Sequence, residues 1–124
     1  MKQRKDKRAA MLKPIRIINN TNSTVLGNLS NLSASGLMMI AQTEYYPGYT
    51  TNVSIQFPHN FAGNFSYDTE IKCLWCKKST NEGFFDVGYA FVHEINDFDL
   101  KIINSLIKDS GLLSSGQTAI RWYR

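Results

Sequence analysis

The sequence predicts a mainly β fold, a closed or nearly closed six-stranded antiparallel barrel followed by one C-terminal helix. Three observations carry this. Six short β segments are separated by polar turns, one run near the end has helical periodicity, and the apolar content suffices for a single core. At 124 residues the chain forms one domain. Its hydrophobic fraction of 43%, with 7 Phe, 6 Tyr and 2 Trp, excludes global disorder.

The first strand is expected over 14–20, where Pro14-Ile15-Arg16-Ile17-Ile18 is β-branched and ends in an Asn/Thr/Ser turn cluster. Residues 24–32 alternate loosely and lead into Ser33-Ala34-Ser35-Gly36, and 37–41 form an apolar run of strand length. Residues 49–57 alternate until Pro58 stops them. Longer strands follow over 65–77 and 84–93, joined by the turn-forming residues 78–83. The helix begins at a cap supplied by Asn96 or Asp97 and ends near Ser110-Gly111. Phe98, Ile102 and Leu106, with Ile103 and Ile107, give it an apolar stripe that closes the open end of the barrel. The domain plan is an N-terminal arm over 1–12, barrel plus helix over 13–111, and a tail over 112–124.

Charge is unevenly placed. Residues 1–16 hold seven Lys/Arg and one acid, a net of +6, whereas the other 108 residues sum to −2. A local basic arm on a near-neutral body suits a small anionic ligand or one acidic contact rather than a nucleic-acid strand, which needs a longer basic groove. No run approaches the ~18 apolar residues of a membrane span, and no signal-peptide pattern follows the charged N-terminus. The expected location is the cytoplasm, with no membrane insertion.

Cys73 and Cys76 have Cys-x-x-Cys spacing, but neither His59 nor His93 lies at a familiar zinc-ligand distance from them. On a regular strand, positions three apart face opposite sides, so one thiol is expected inward and one outward. No nucleophile, base or carboxylate pair forms a catalytic constellation, so no enzyme activity, metal or cofactor is expected.

Two elements carry binding chemistry. Arg4 and Arg8, four apart, share a face in a helix or an extended arm, so two guanidinium forks can converge on one ligand. Each fork suits phosphate oxygens or the paired acceptors of a guanine edge. In Asn31-Leu32-Ser33-Ala34-Ser35-Gly36, Asn31 and Ser33 share one strand face while Leu32 points into the core. Asn and Ser offer donors and acceptors for a purine edge or a phosphate. Gly36 allows either positive φ or close approach of the backbone to a ligand. Chance alone yields an Asp/Asn-x-Ser-x-x-Gly match in roughly one chain of this length in fifteen, and both motifs in order in about one in a hundred. The pairing therefore weighs more than either motif.

With these motifs the sequence resembles the PilZ domain family. That family is marked by Arg-x-x-x-Arg in an N-terminal switch loop and Asp/Asn-x-Ser-x-x-Gly on the barrel. Here 22 residues separate Arg8 from Asn31. The likeness continues through Cys73-Leu74-Trp75 and Gly88-Tyr89-Ala90-Phe91 to the C-terminal helix, from residue 4 to about 110. The resemblance implies a six-stranded PilZ-type barrel that receives the bacterial second messenger cyclic di-GMP. Arg4 and Arg8 then contact phosphate and guanine as the arm folds over the ligand. Asn31 and Ser33 hydrogen-bond a guanine, and Gly36 makes room. Trp75 either packs near the ligand or serves the barrel alone. Gln3, before Arg4, stands where many members have a charged or apolar residue, a position that influences whether one nucleotide or a stacked pair binds.

The expected behaviour is a switch, with the arm mobile when free and ordered on binding, presenting a surface to an effector protein. The alternative is a PilZ-fold interaction module of motility or secretion machinery with weak or no nucleotide binding. A monomer or a dimer is compatible with either, and neither DNA nor RNA is an expected partner.

Overall fold

The computed structural model describes residues 14–59 and 63–110. The arm with Arg4 and Arg8, and the tail over 112–124, lie outside the described residues. Six strands run in chain order: β1 Arg16–Asn19, β2 Val25–Leu32, β3 Gly36–Ala41, β4 Thr50–His59, β5 Gly63–Lys78 and β6 Phe85–Phe91. Helix α1 spans Asp97–Ser110. The strands form a closed barrel in the order β1-β2-β3-β6-β5-β4, every pair antiparallel. Four-residue β1 pairs with β2 on one side and β4 on the other, and so seals the barrel. The predicted architecture is the observed one.

Alternation fills the interior. Ile17, Leu37, Met39, Val53, Ile55, Phe57, Ile71 and Val87 are fully buried, each at every second position of its strand. Pro58 does not end β4, contrary to expectation: it pairs with Asn64, and β4 runs on to His59. The reason is local. The β1 partner of β4 ends at Arg16, opposite Gln56, so beyond that point β4 is an edge with one neighbour, and a missing N–H costs the ladder little.

Helix α1 starts at a cap that the sequence left between two residues. The Asp99 N–H donates to Asn96 Oδ1 at 2.8 Å, which makes Asn96 the cap. Asp97 and Asp99 in the first turn and Lys108 in the last complement the helix dipole. Ile103, Leu106 and Ile107 enter the core with Ile15 and Ile95. The expected stripe is divided, however. Phe98 is 72% exposed and Ile102 37%, so the N-terminal half of the stripe faces outward while the C-terminal half packs inward.

Two bulges decide which side chains face out. In β2, Leu29 pairs with Met39 and Asn31 with Met38, leaving Ser30 unopposed. In β5, Cys73 pairs with Tyr89 and Trp75 with Gly88, leaving Leu74 unopposed. The first bulge brings both Leu29 and Leu32 into the core although they are three apart. The second does the same for the cysteines. Cys73 is buried opposite inward Tyr89, and Cys76 packs against the core opposite inward Val87. The expectation of one inward and one outward thiol is therefore wrong, because it assumed an unbroken two-residue period. Both are free thiols.

Candidate functional site

The Asn-x-Ser-x-x-Gly segment forms the β2–β3 hairpin. Leu32 is fully buried, which turns Asn31 and Ser33 to the outer face, where both are half-buried. The Ser33 N–H donates to the Gly36 carbonyl at 2.8 Å and closes the turn. Ser33 Oγ lies 3.3 Å from Ser35 Oγ and 3.4 Å from the Ser35 nitrogen, which donates to it. Asn31 Oδ1 accepts the Leu32 N–H at 2.9 Å, which orients the carboxamide.

The turn is also braced from outside the hairpin. The Phe91 N–H donates to Ser35 O at 2.9 Å, and the Ile95 N–H donates to Ala34 O at 3.1 Å. The end of β6 and the lead-in to α1 therefore hold the motif's backbone. Of the two roles open to Gly36 from sequence, positive φ is not the one the backbone uses. Gly36 is not among the positive-φ residues, which include Gly48 and Gly83; it is the buried first residue of β3, paired with Ala90.

Strand register places these residues in a wider surface. Asn31 pairs with Met38, Met38 with Gly88, and Gly88 with Trp75, so one row crosses β2, β3, β6 and β5 on the barrel exterior. The adjacent row runs Gly36–Ala90–Lys72. Gly36 and Ala90 beside the row are small, whereas within the row Met38 stands between Asn31 and Gly88. Trp75 lies over Gly88: a Cβ at Gly88 would sit 2.4 Å from its Cε2 and 2.6 Å from its Nε1. The indole N–H is buried there with no acceptor among the described residues, so packing rather than hydrogen bonding sets the ring. Lys77 Nζ stands 5.5 Å from the ring centroid, a cation–π distance.

The connection to the arm is placed as well. Ile15, one residue into the described chain, is buried, and its carbonyl accepts the Leu29 N–H at 2.7 Å. The chain leading back to Arg8 therefore departs beside β2, two residues before Asn31.

Comparison with protein families settles the relationship. The family model described as PilZ domain matches residues 2–109 of the 124. The chain belongs to the PilZ domain family. No curated protein and no solved structure gives a match.

Within this PilZ barrel, the Trp and Gly-x-x-Phe motifs form one structural unit. Gly88 is bare because Trp75 covers it, and Phe91 is a core residue three positions on. Sequence reasoning singled out Asn31, Ser33, Gly36 and Trp75, and noted Gly88 and Ala90 only within the Gly-x-x-Phe segment, but passed over Met38, Lys72 and Lys77. None of these last three carries a motif of its own, and only strand register brings them beside the others. Two cavities bounded by described residues lie away from the row, one of about 470 Å³ at the β5–β6 turn and one of about 150 Å³ beside the 42–49 loop.

The thiol beneath the row is held protonated. Burial, and then the nearby Cys76, push the Cys73 pKa up from 9.0 to about 11, against a smaller lowering by the Trp75 backbone. Burial also raises the Tyr89 phenol, with Cys73 adding to it. A raised folded-state pKa favours the protonated form, so this stabilisation is complete below the unfolded thiol pKa and is lost as pH rises from about 9 towards 11. Thermal melts should show the melting temperature falling across that window. Cys73→Ala should flatten the fall, and an equal slope in wild type and variant would remove Cys73 as its cause.

Proposed function

We propose that this PilZ domain is a receptor for cyclic di-GMP, bound on the outer face of the barrel between the β2–β3 hairpin and Trp75. The observation that carries the reading is the row Asn31–Met38–Gly88–Trp75, with Gly36 and Ala90 beside it. It sets polar groups suited to a guanine edge at one end and an indole at the other, with the small residues Gly36 and Ala90 in the adjacent row. Asn31 and Ser33 hydrogen-bond the guanine, Gly36 admits its close approach, and Trp75 packs against the ligand. Arg4 and Arg8 reach in from the arm, one fork on phosphate and one on guanine. The departure of the chain beside Leu29 supports this, because it starts the arm next to the motif.

Ordering of the arm on binding is the proposed output: the ligand favours the ordered arm and so presents a new surface to an effector protein. The domain acts without catalysis and without a cofactor. Calorimetry of the full chain with cyclic di-GMP, GTP and a short oligonucleotide tests the reading. Saturable binding of cyclic di-GMP alone is expected. An intact barrel with no binding at tens of micromolar overturns it in favour of a protein-interaction module, a reading that the outward-facing Phe98 supports.

A further inference from the structure

The 42–49 loop, between β3 and β4, folds back onto the barrel away from the motif row. The Gly48 N–H donates to Cys73 O at 2.8 Å, and the Cys73 N–H donates to Tyr49 O at 2.9 Å, so the loop meets β5 at its bulge. Tyr45 pins the loop at two points. Its N–H donates to Cys76 Sγ at 3.5 Å and its hydroxyl donates to Leu26 O at 3.1 Å. Between loop and wall is the cavity of about 150 Å³, and its lining includes Glu44, Tyr45, Tyr46, Tyr49 and Tyr89, with Cys73 at its inner side.

The chemistry of this lining is restrictive. It contains four tyrosines, one carboxylate, and no Lys, Arg or His. Burial raises the pKa of the Tyr45 and Tyr89 phenols and of the Cys73 thiol and so favours their neutral forms, and Glu44 is the one carboxylic side chain of the lining. Glu44 forms no ion pair among the described residues. An anion is therefore disfavoured, and the volume is well below the roughly 300–1,000 Å³ of sites that enclose drug-sized ligands. A dinucleotide does not fit. Tyr46 and Tyr49 are 62% and 71% exposed at the cavity, so the core does not account for their rings. Four aromatic residues with one acid are the side-chain types that attract a small cation whose hydration is weak enough to lose. Methylated ammonium groups have that property, whereas a bare ammonium keeps its water.

We propose that the cavity formed by Glu44, Tyr45, Tyr46, Tyr49 and Tyr89 binds a quaternary or methylated ammonium group. Cation–π attraction to the phenol rings provides the binding, and the Glu44 carboxylate provides a counter-charge. The group could come from a free small molecule of the choline type or from a methylated lysine of a peptide. The site is separate from the motif row and does not depend on nucleotide binding.

The test is a titration of the full chain, followed by NMR or calorimetry, with choline, with the uncharged tert-butyl analogue of choline, and with a trimethyllysine peptide beside its unmodified lysine form. Choline should bind and its neutral analogue should bind at least about tenfold more weakly. Tyr49→Leu or Tyr46→Leu should weaken choline binding by about three- to thirty-fold, with Tyr49→Phe retaining it. Glu44→Gln should weaken it as well. These residues are surface-exposed, and an unchanged melting temperature confirms that the variants fold. Tighter binding of the trimethylated peptide than of choline identifies a protein source, and equal or weaker binding identifies a free cation. Equal binding of choline and its neutral analogue, or wild-type choline affinity in Tyr49→Leu, overturns the proposal.

Discussion

Arg8→Ala is expected to weaken cyclic di-GMP binding by more than about tenfold, because it removes a charged bidentate donor from a phosphate or guanine contact. The loss should appear in calorimetry, with a melting temperature equal to that of wild type as the check that the barrel is intact. Arg8→Lys should recover little of the affinity, as an ammonium cannot reproduce the planar fork. Lys5→Ala is the matched control. It removes an equal charge from the same arm and should cost about twofold or less, an effect that fades with added salt. If Arg8→Ala binds like wild type, or Lys5→Ala loses as much, the arm acts only through its net charge and the assignment of Arg8 fails.

Gly88→Ala is expected to cost about 1–3 kcal/mol of stability, although it adds only one methyl group. That methyl would meet the Trp75 ring at 2.4–2.7 Å, so the ring has to leave its place over β6. Indole fluorescence should shift as the buried N–H edge becomes solvated. The decisive measurement is a double-mutant cycle with Trp75→Ala. Without the indole, Gly88→Ala should be near neutral, and the difference between backgrounds measures the Trp75–Gly88 contact. Cyclic di-GMP affinity should fall in Gly88→Ala as well, because the Trp75 end of the row then changes. A stability loss that persists in the Trp75→Ala background would mean that backbone effects at residue 88, rather than the ring, demand glycine.

Much of this was legible beforehand because burial alternates so regularly. Leu32 between Asn31 and Ser33 is enough to turn the two polar residues outward, and Ile17, Val53, Ile55 and Phe57 mark their strands in the same way. Failures came where a local period was interrupted. The Leu74 bulge put Cys76 on the same side as Cys73, and the end of β1 at Arg16, opposite Gln56, made Pro58 harmless. Neither event leaves a trace in the composition of its own segment, since both depend on where a neighbouring strand stops or slips. The same holds for Lys72 and Lys77, which become neighbours of the motif only once four strands are in register. The split of the α1 stripe, with Phe98 outside and Ile107 inside, depends likewise on where the helix meets the barrel.

The unopposed residues Ser30 and Leu74 also bear on how relatives of this chain are to be aligned. A one-residue gap inside a strand ordinarily turns every side chain beyond it to the other face. Here the partners flanking each unopposed residue are already consecutive, Met39 with Met38 and Tyr89 with Gly88, so deleting Ser30 or Leu74 would close the ladder with Asn31 and Trp75 still outside. Two homologues that differ by one residue at these points would thus share an exterior despite texts of different length. Alignments through β2 and β5 should therefore be anchored on the inward pairs Leu29–Met39 and Cys76–Val87 rather than on letter matches.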